Sequence, residues 1–155
     1  MTQTIEVVTY RPEYASYFAT FNEDWISENF TLEALDKYVL SHPDEAILNK
    51  GGEIFFAKDG DDIIGTVALK WIDDTSVELT KMAVDKNHRG KGAGVILCEH
   101  AIAAAKARGA KEVILYSNTK QATAIRIYRK LGFIELPLEK GVYERADIKM
   151  HIPFK

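Results

Sequence analysis

The first forty residues of the chain change from an alternating pattern to helical spacing. Ile5–Thr9 alternates between inward and outward positions, which predicts a first strand. Apolar and mainly aromatic side chains then recur at helical spacing over residues 14–26, after Pro12, a residue suited to the first turn of a helix. A second helical spacing over residues 32–39 stops at His42-Pro43. The chain therefore opens with a strand followed by two helices.

The middle of the chain consists of three short apolar runs. They cover residues 54–58, 63–71 and 77–84, and acidic turns at residues 59–62 and 73–75 separate them. Turns this short join antiparallel neighbours. The pattern predicts an antiparallel meander.

A crossover follows the meander. Residues 95–107 have the spacing of a helix that Gly109 ends, and residues 113–116 form a strongly apolar run. A strand reached through a helix lies parallel to the strand before that helix, so the sheet becomes mixed. A further helix over residues 122–131 and a closing antiparallel pair, residues 133–138 and 142–152, complete the pattern. The predicted class is α+β, with a central mixed, mostly antiparallel sheet flanked by helices.

Composition limits the classes of partner. The chain has 155 residues, 46% of them hydrophobic and 28% charged, which predicts one domain over residues 1–155. The net charge of -3 and the spread of Lys and Arg argue against a nucleic-acid partner. No apolar stretch reaches the ~18 residues that span a bilayer, and residues 1–4 do not resemble a signal peptide. With Cys98 as the only cysteine, we expect a cytoplasmic protein with no membrane partner.

The segment Asn87-His88-Arg89-Gly90-Lys91-Gly92-Ala93-Gly94, between the third run of the meander and the next helix, predicts a cradle for a phosphate or pyrophosphate. Small residues let backbone amides crowd together there. The spacing is not that of a P-loop, because no Gly-Lys-Ser/Thr places a hydroxyl for magnesium. It is not the dinucleotide fingerprint either, because Leu97 stands at the position of the third glycine.

The residue types of metal sites and nucleophiles are present without their usual spacing. His42, His88, His100 and His151 are scattered, with no pair at i and i+4 on one helix, so no metal is expected. Cys98 lies on the apolar pattern of its helix, which indicates packing.

Two separated segments resemble one family. Glu78-Leu79-Thr80-Lys81-Met82-Ala83-Val84, leading into Arg89-Gly90-Lys91-Gly92-Ala93-Gly94, resembles the cofactor motif of the GNAT superfamily of acyl-CoA-dependent N-acyltransferases. Ala124-Ile125-Arg126-Ile127-Tyr128-Arg129-Lys130-Leu131-Gly132-Phe133 resembles its second motif. The resemblance implies the GNAT-like sheet, with a cofactor-binding strand, loop and helix, and acetyl-CoA as co-substrate.

The resemblance also implies which residues hold coenzyme A. The amides of Arg89, Gly90, Lys91, Gly92, Ala93 and Gly94 would bind the pyrophosphate. The backbone of Met82, Ala83 and Val84 would pair with the pantetheine arm. Asn118 would hydrogen-bond that arm, although another family pattern has asparagine at the position that Gln121 occupies here.

Two catalytic roles follow from the same resemblance. Glu78 would be the general base, acting directly or through water, and the alternative is a solvated strand charge. A base matters because deprotonating a lysine-like amine at pH 7 costs about 4.6 kcal/mol, against about 1.4 kcal/mol for an α-amine. Tyr128 matches the family's general acid for the departing thiolate, and its alternative is a core aromatic.

The acceptor would bind between the early helices and the last strand pair. Candidate contacts are Phe21, Trp25, Phe30, Tyr143 and Arg145, a set that would suit a compact amine with a carboxylate for Arg145 to grip. Core packing explains the aromatic residues almost as well. The predicted activity is direct acetyl transfer to a small-molecule primary amine such as an amino acid. Acetylation of a protein N-terminus or lysine and a non-catalytic acyl-CoA-binding module are the alternatives, and a homodimer stays open.

Overall fold

A computed structural model describes residues 5–139 and 143–154. The strands are β1 (Ile5–Thr9), β2 (Glu53–Asp59), β3 (Asp62–Trp71), β4 (Ser76–Val84), β5 (Glu112–Ser117), β6 (Ile134–Leu136) and β7 (Ile148–Pro153). The α-helices are α1 (Ala15–Ser27), α2 (Ala34–Ser41), α3 (Pro43–Ala46), α4 (Ala93–Ala107) and α5 (Ala122–Lys130). Single 3-10 turns at Pro12–Tyr14, Leu48–Lys50 and Lys86–His88 join them.

All seven strands form one sheet in the order β1-β2-β3-β4-β5-β7-β6. The meander from β2 to β4 is antiparallel, and β5 lies parallel to β4. Both features were predicted, and the α+β class with a mixed, mostly antiparallel sheet is confirmed. Strand β7 inserts between β5 and β6 and is antiparallel to both.

The closing strands are shorter than the apolar runs suggested. β6 covers only Ile134–Leu136, and β7 begins at Ile148, so Tyr143 to Asp147 is irregular. The start of the predicted last strand, Val142, lies outside the described residues. The irregular stretch, here called the 143–147 segment, lies beside the candidate site described below.

The sheet buries side chains on both faces, which explains the long apolar runs of its central strands. Phe55 points into a core with α4 and α5, and its neighbour Phe56 points into a second core with α1 and α2. Successive strand residues face opposite sides, so one hydrophobic run serves two cores. Within the described parts of the chain, no helix is both long enough and apolar enough to traverse a bilayer.

A bulge distorts β4 near its middle. Its residue Ala83 lies opposite Thr66 and its residue Thr80 lies opposite Ala68, so β4 has one more residue than β3 in this interval. Lys81 lies in the bulge at φ 55°, and no other non-glycine residue in the described ranges has a positive φ. A bulge bends its strand and increases the local twist. The pairing of β4 with β5 ends at Glu78, three residues before Lys81.

Candidate active site

A cleft separates β4 from β5 beyond the point where their pairing ends. The pairing runs from Ser76 opposite Glu112 to Glu78 opposite Ile114, although both strands continue further. The cleft contains a cavity of about 80 Å³. Its lining comes from α1 and the turn after it, β4, β5, α5 and the 143–147 segment, and consists of Asn22, Trp25, Ile26, Phe30, Leu79, Thr80, Lys81, Met82, Leu115, Tyr116, Ser117, Asn118, Gln121, Tyr128, Tyr143, Arg145 and Ala146.

The glycine-rich segment connects the end of β4 to the N-terminus of α4. Gly90 and Gly92 have φ values of 87° and 85°, and a Cβ built on either one meets no protein atom within 4 Å. Gly92 is the N-cap of α4 and provides no side-chain cap. No side chain caps the first amides of α4, so they keep their hydrogen-bonding capacity for an anion.

The two cations of this segment already have partners. The Arg89 guanidinium lies 4.7 Å from the ring centroid of Trp25 and forms a 2.9 Å ion pair with Glu28. The Lys91 ammonium lies 3.7 Å from a carboxylate oxygen of Asp59. Backbone amides, rather than these side chains, are the groups left open for a phosphate.

Glu78 is buried at the point where the strands separate. It is 5% exposed, and the Tyr143 hydroxyl donates a hydrogen bond to its Oε2 at 3.1 Å. Burial raises the pKa of this carboxyl, and the charges of Lys70 and Lys81 and hydrogen bonds from Tyr143 and Thr80 oppose that rise only in part. The description of a solvated strand charge does not fit this residue.

Tyr128 lies on α5 with its side chain at the cavity wall. It is 7% exposed and packs edge-on against Phe133, with ring centroids 5.8 Å apart. Burial raises the pKa of its phenol, and the nearby Cys98 adds to the rise. Tyr128 thus combines a core position with access to the cavity, so the two roles considered from sequence are compatible.

Asn118 ends the β5 side of the cavity and is held at both ends of its amide. Its Nδ2 donates to the carbonyl oxygen of Arg145 at 2.6 Å, and its Oδ1 accepts from the backbone amide of Lys120 at 2.9 Å. Gln121, at the other family position for an amide, also lines the cavity. Met82 lines it too, whereas Ala83 and Val84 continue β4 opposite β3.

Four of the five predicted acceptor contacts meet at the cavity: Trp25, Phe30, Tyr143 and Arg145. Phe21 does not line it; its ring packs beside Tyr17, with centroids 5.6 Å apart, and against the second core. The core-packing alternative therefore describes Phe21.

A buried ion network, absent from the sequence-based site, joins four charged residues. Asp36 of α2 accepts hydrogen bonds from Lys81 Nζ at 2.6 Å and from Arg145 Nη1 and Nη2 at 2.6 and 2.9 Å. Arg145 Nη1 also donates to Glu33 at 3.0 Å. The side chains of Lys81 and Asp36 are 2% and 0% exposed. We call these four residues the α2 clamp.

The α2 clamp borders the cavity through two of its members, Lys81 and Arg145. Glu33 also accepts hydrogen bonds from the backbone amides of Glu144 and Arg145 at 3.0 and 3.3 Å, so α2 holds the 143–147 segment by side chain and backbone. Burial alone would raise the pKa of Asp36, but the Arg145 hydrogen bonds and the Lys81 charge lower it. Arg145, the residue predicted to grip a carboxylate of the acceptor, has its guanidinium bound by Glu33 and Asp36 in this structure.

One signal in the sequence could have revealed the clamp. Asp36 precedes the buried residues Val39 and Leu40 by three and four positions, so a charge lies on the apolar face of α2. Such a charge requires a buried partner. The partners, Lys81 and Arg145, are far away in sequence and could not be named.

The model of the acetyltransferase (GNAT) family matches residues 14–133. The chain belongs to this family. It is similar to mycothiol acetyltransferase of Corynebacterium glutamicum, with 32% identity over 97 residues that cover 61% of this chain and 32% of that protein. This chain therefore spans about a third of the length of that relative.

Solved GNAT structures share the fold over nearly the whole chain. An acetyltransferase of the GNAT family from Staphylococcus aureus superimposes with a TM-score of 0.86 and 24% identity, covering 98% of this chain and 100% of that one. The PaiA N-acetyltransferase of Thermoplasma acidophilum, solved with coenzyme A, gives a TM-score of 0.75 at 19% identity, covering 97% and 99%. The GNAT-like fold predicted from the two motifs is confirmed.

Among the described residues, no His, Cys, Asp or Glu side chain lines the cavity. Burial raises the pKa of the Cys98 thiol to about 12, which leaves no thiolate for nucleophilic attack at neutral pH. In residues 5–139 and 143–154, no three His, Cys, Asp or Glu side chains are grouped so that they could hold a metal ion.

Proposed function

We propose that this chain transfers the acetyl group of acetyl-CoA directly to a primary amine of a small molecule. The observation that carries the proposal is the cleft between β4 and β5: Tyr128 and Tyr143 line its cavity, and the buried carboxyl of Glu78 lies behind Tyr143. β4 continues from this cleft to the uncapped N-terminus of α4, so groups for acid, base and anion binding follow one another along the same strand and its neighbours.

The residues of the loop suit the diphosphate of coenzyme A. The amides that follow Gly92 are uncapped, and the space around Gly90 and Gly92 is open. Bound there, acetyl-CoA supplies a thioester whose carbonyl carbon an amine can attack. Met82, Ala83 and Val84 would pair with the pantetheine arm through their backbone, and Asn118 would hold the arm at the β5 side.

Glu78 would accept the proton that an ammonium must lose before it attacks. A carboxyl with an ordinary pKa is a poor base at neutral pH, and burial raises the pKa of Glu78 toward the range in which a base is effective. Tyr128 would protonate the departing sulfur. Burial raises the pKa of its phenol, so Tyr128 is protonated at neutral pH but is a weaker acid than a free phenol, and its proton would move only as the C–S bond breaks and charge builds on sulfur.

The small volume of the cavity favours a small acceptor. The α2 clamp ties α2 to the 143–147 segment across one side, and the cavity volume is about 80 Å³. An N-terminus or lysine of a folded protein would need an open groove. With no free cation in the α2 clamp, we propose a compact amine that aromatic side chains such as Trp25 and Phe30 contact, without a required carboxylate.

An acetyl-CoA assay against a panel of acceptors tests the proposal. Thiol release is followed with 2-phenylethylamine, ethanolamine, L-lysine and a lysine-containing peptide as separate acceptors. We expect turnover with at least one free amine and little with the peptide. Faster turnover of the peptide would favour a protein acceptor, and tight acetyl-CoA binding without any turnover would favour a binding module.

Four expectations from the sequence remain predictions. They are a single domain over residues 1–155, a cytoplasmic location, the absence of nucleic-acid and membrane partners, and the open question of a homodimer. Gel filtration would test for a homodimer, and subcellular fractionation would test the cytoplasmic location.

A further inference from the structure

Two hydroxyl groups at the cavity wall, those of Tyr143 and Thr80, hydrogen-bond the carboxyl of Glu78. The described residues that line the cavity include Leu79, Thr80 and Tyr143, but not Glu78. The Tyr143 hydroxyl donates to Glu78 Oε2 at 3.1 Å from the cavity side. An acceptor amine in the cavity therefore meets one of these hydroxyl oxygens before the carboxylate, and the ring of Tyr143 carries its oxygen the further from the β4 backbone.

We propose that the Tyr143 hydroxyl relays a proton from the acceptor ammonium to Glu78, an inference that rests on the proposed function. An ammonium N–H bond breaks as its proton joins the Tyr143 oxygen, and the original Tyr143 O–H proton moves to Glu78 Oε2. The products are a neutral amine, an unchanged tyrosine and a protonated Glu78. The carboxyl then returns its proton to solvent before the next turnover.

A relay needs a fixed ring, and the surroundings of Tyr143 provide one. Lys81 Nζ lies 5.1 Å and the Arg145 guanidinium carbon 4.9 Å from the ring centroid. The ring of Tyr116 meets it edge-on at 6.0 Å. Asp36 anchors both cations, so the α2 clamp holds the relay in position.

The groups that face Glu78 determine when the relay operates. Lys70 of β3, Lys81 of β4, Tyr116 of β5 and Tyr143 all interact with its carboxyl. The carboxylate accepts a proton only above its raised pKa. Burial and the Glu78 charge raise the pKa of Tyr143, so the phenol stays protonated and acts only as a relay, not as a base on its own.

Infrared difference spectroscopy tests the connection without any acceptor. The C=O band of protonated Glu78, assigned with Glu78→Gln, is followed against pH in the wild type and in Tyr143→Phe. Loss of a donor to the carboxylate should move its protonation to higher pH in the variant. Identical titrations would show that Tyr143 is not connected to Glu78 and would overturn the relay, whatever the enzyme's activity.

Kinetics with 2-phenylethylamine tests the proton transfer itself. We expect Tyr143→Phe to lower kcat by about 10²-fold at pH 7 and progressively less as pH rises toward about 10, where the amine is already neutral. The kcat of the double variant Tyr143→Phe/Glu78→Gln should equal that of the slower single variant, because both substitutions interrupt the same proton path.

The matched control is Tyr38→Phe. Tyr38 also donates a hydroxyl to a carboxylate, Glu45, at 3.3 Å, but it lies 41% exposed on α2. It should behave as wild type. A raised KM at every pH with unchanged kcat would make Tyr143 a contact for substrate and overturn the relay. If no amine turns over in the wild type, the proposed function fails, and the infrared result alone still decides whether the connection exists.

Discussion

Gly92 and Gly109 have almost the same backbone conformation but lie at opposite ends of α4. Their φ values are 85° and 86°, and an added Cβ meets nothing within 4 Å at either one. Only Gly92 lies at the N-terminus of α4, where the backbone amides would bind the diphosphate. We therefore expect Gly92→Glu to weaken acetyl-CoA binding by at least 10²-fold, on the scale of several kcal/mol for a like-charge contact, as measured by calorimetry.

Gly109→Glu is the control for that substitution, because it introduces the same backbone strain and charge outside the loop. Its binding constant should match that of the wild type. If both variants bind acetyl-CoA equally weakly, the cause is strain in α4 and not charge at the phosphate site. If a folded Gly92→Glu variant binds acetyl-CoA as the wild type does, the phosphate site lies elsewhere.

Tyr128→Phe retains the ring that packs on Phe133 and removes the hydroxyl at the cavity wall. Loss of general-acid help should lower kcat by roughly 10² to 10⁴-fold while acetyl-CoA binding stays nearly intact. Stopped-flow measurement of the acetyl-transfer step separates chemistry from product release. A wild-type rate for that step would leave Tyr128 as a core aromatic only, and Tyr17→Phe, 40% exposed, serves as the unaffected reference.

Single residues with a local signature were predictable from the sequence, and residues defined by a distant partner were not. The glycine spacing identified the loop because only small residues allow its backbone. Lys81 carried no such signature, since its positive φ results from a bulge that depends on β3. Arg145 was predicted as a site residue, but its ion pairs with α2 could not be read from its neighbours in sequence.

The element that depends most on one side chain is α2. Asp36 lies fully buried between Lys81 and Arg145, so removing its charge leaves two cations without their shared partner. We expect Asp36→Asn to lower the free energy of unfolding by about 3 kcal/mol at pH 7, as urea denaturation would measure. Glu33→Gln, whose side chain is 22% exposed, should cost clearly less.

The pH dependence of this loss has a definite sign. The folded-state pKa of Asp36 is below its ordinary value of 3.8, so its stabilising contribution is complete above that value and disappears as pH falls through the folded-state pKa. The wild type and Asp36→Asn should therefore approach each other in stability at strongly acidic pH. A difference that stays constant down to pH ~2 would show that packing, and not charge, dominates at this position.

At the level of elements, periodicity predicted the strands and helices with two systematic errors. The closing strands were predicted too long: β6 ends at Leu136 and β7 begins only at Ile148, after the irregular 143–147 segment. The first helical run was predicted as continuous from Pro12, but a 3-10 turn, Pro12–Tyr14, precedes α1. Both errors lie where tertiary contacts, and not local propensity, determine the ends of elements.

For the whole molecule, connectivity was predictable and the split in the sheet was not. Short turns required the meander, and the helix between β4 and β5 required the parallel pair. The cleft depends on where that pair stops, after only Ser76–Glu78 opposite Glu112–Ile114. Nothing in the sequence marks this point, because the place where two strands separate depends on how they twist relative to each other and not on a local pattern.

The split leaves backbone groups of both strands facing the cleft, and this gives the last prediction. If the pantetheine arm pairs with Met82, Ala83 and Val84, acetyl-CoA should slow hydrogen exchange of amides in residues 79–84 and, at the β5 side, residues 115–118. Peptides from the β2–β3 turn, which lies outside the cavity lining, should exchange as before. Gly92→Glu should lose the protection at the same ligand concentration, because it removes binding without altering the strands. Protection confined to the loop, with β4 and β5 unchanged, would mean that the arm leaves the cleft unfilled and that the cofactor lies across another face of the molecule.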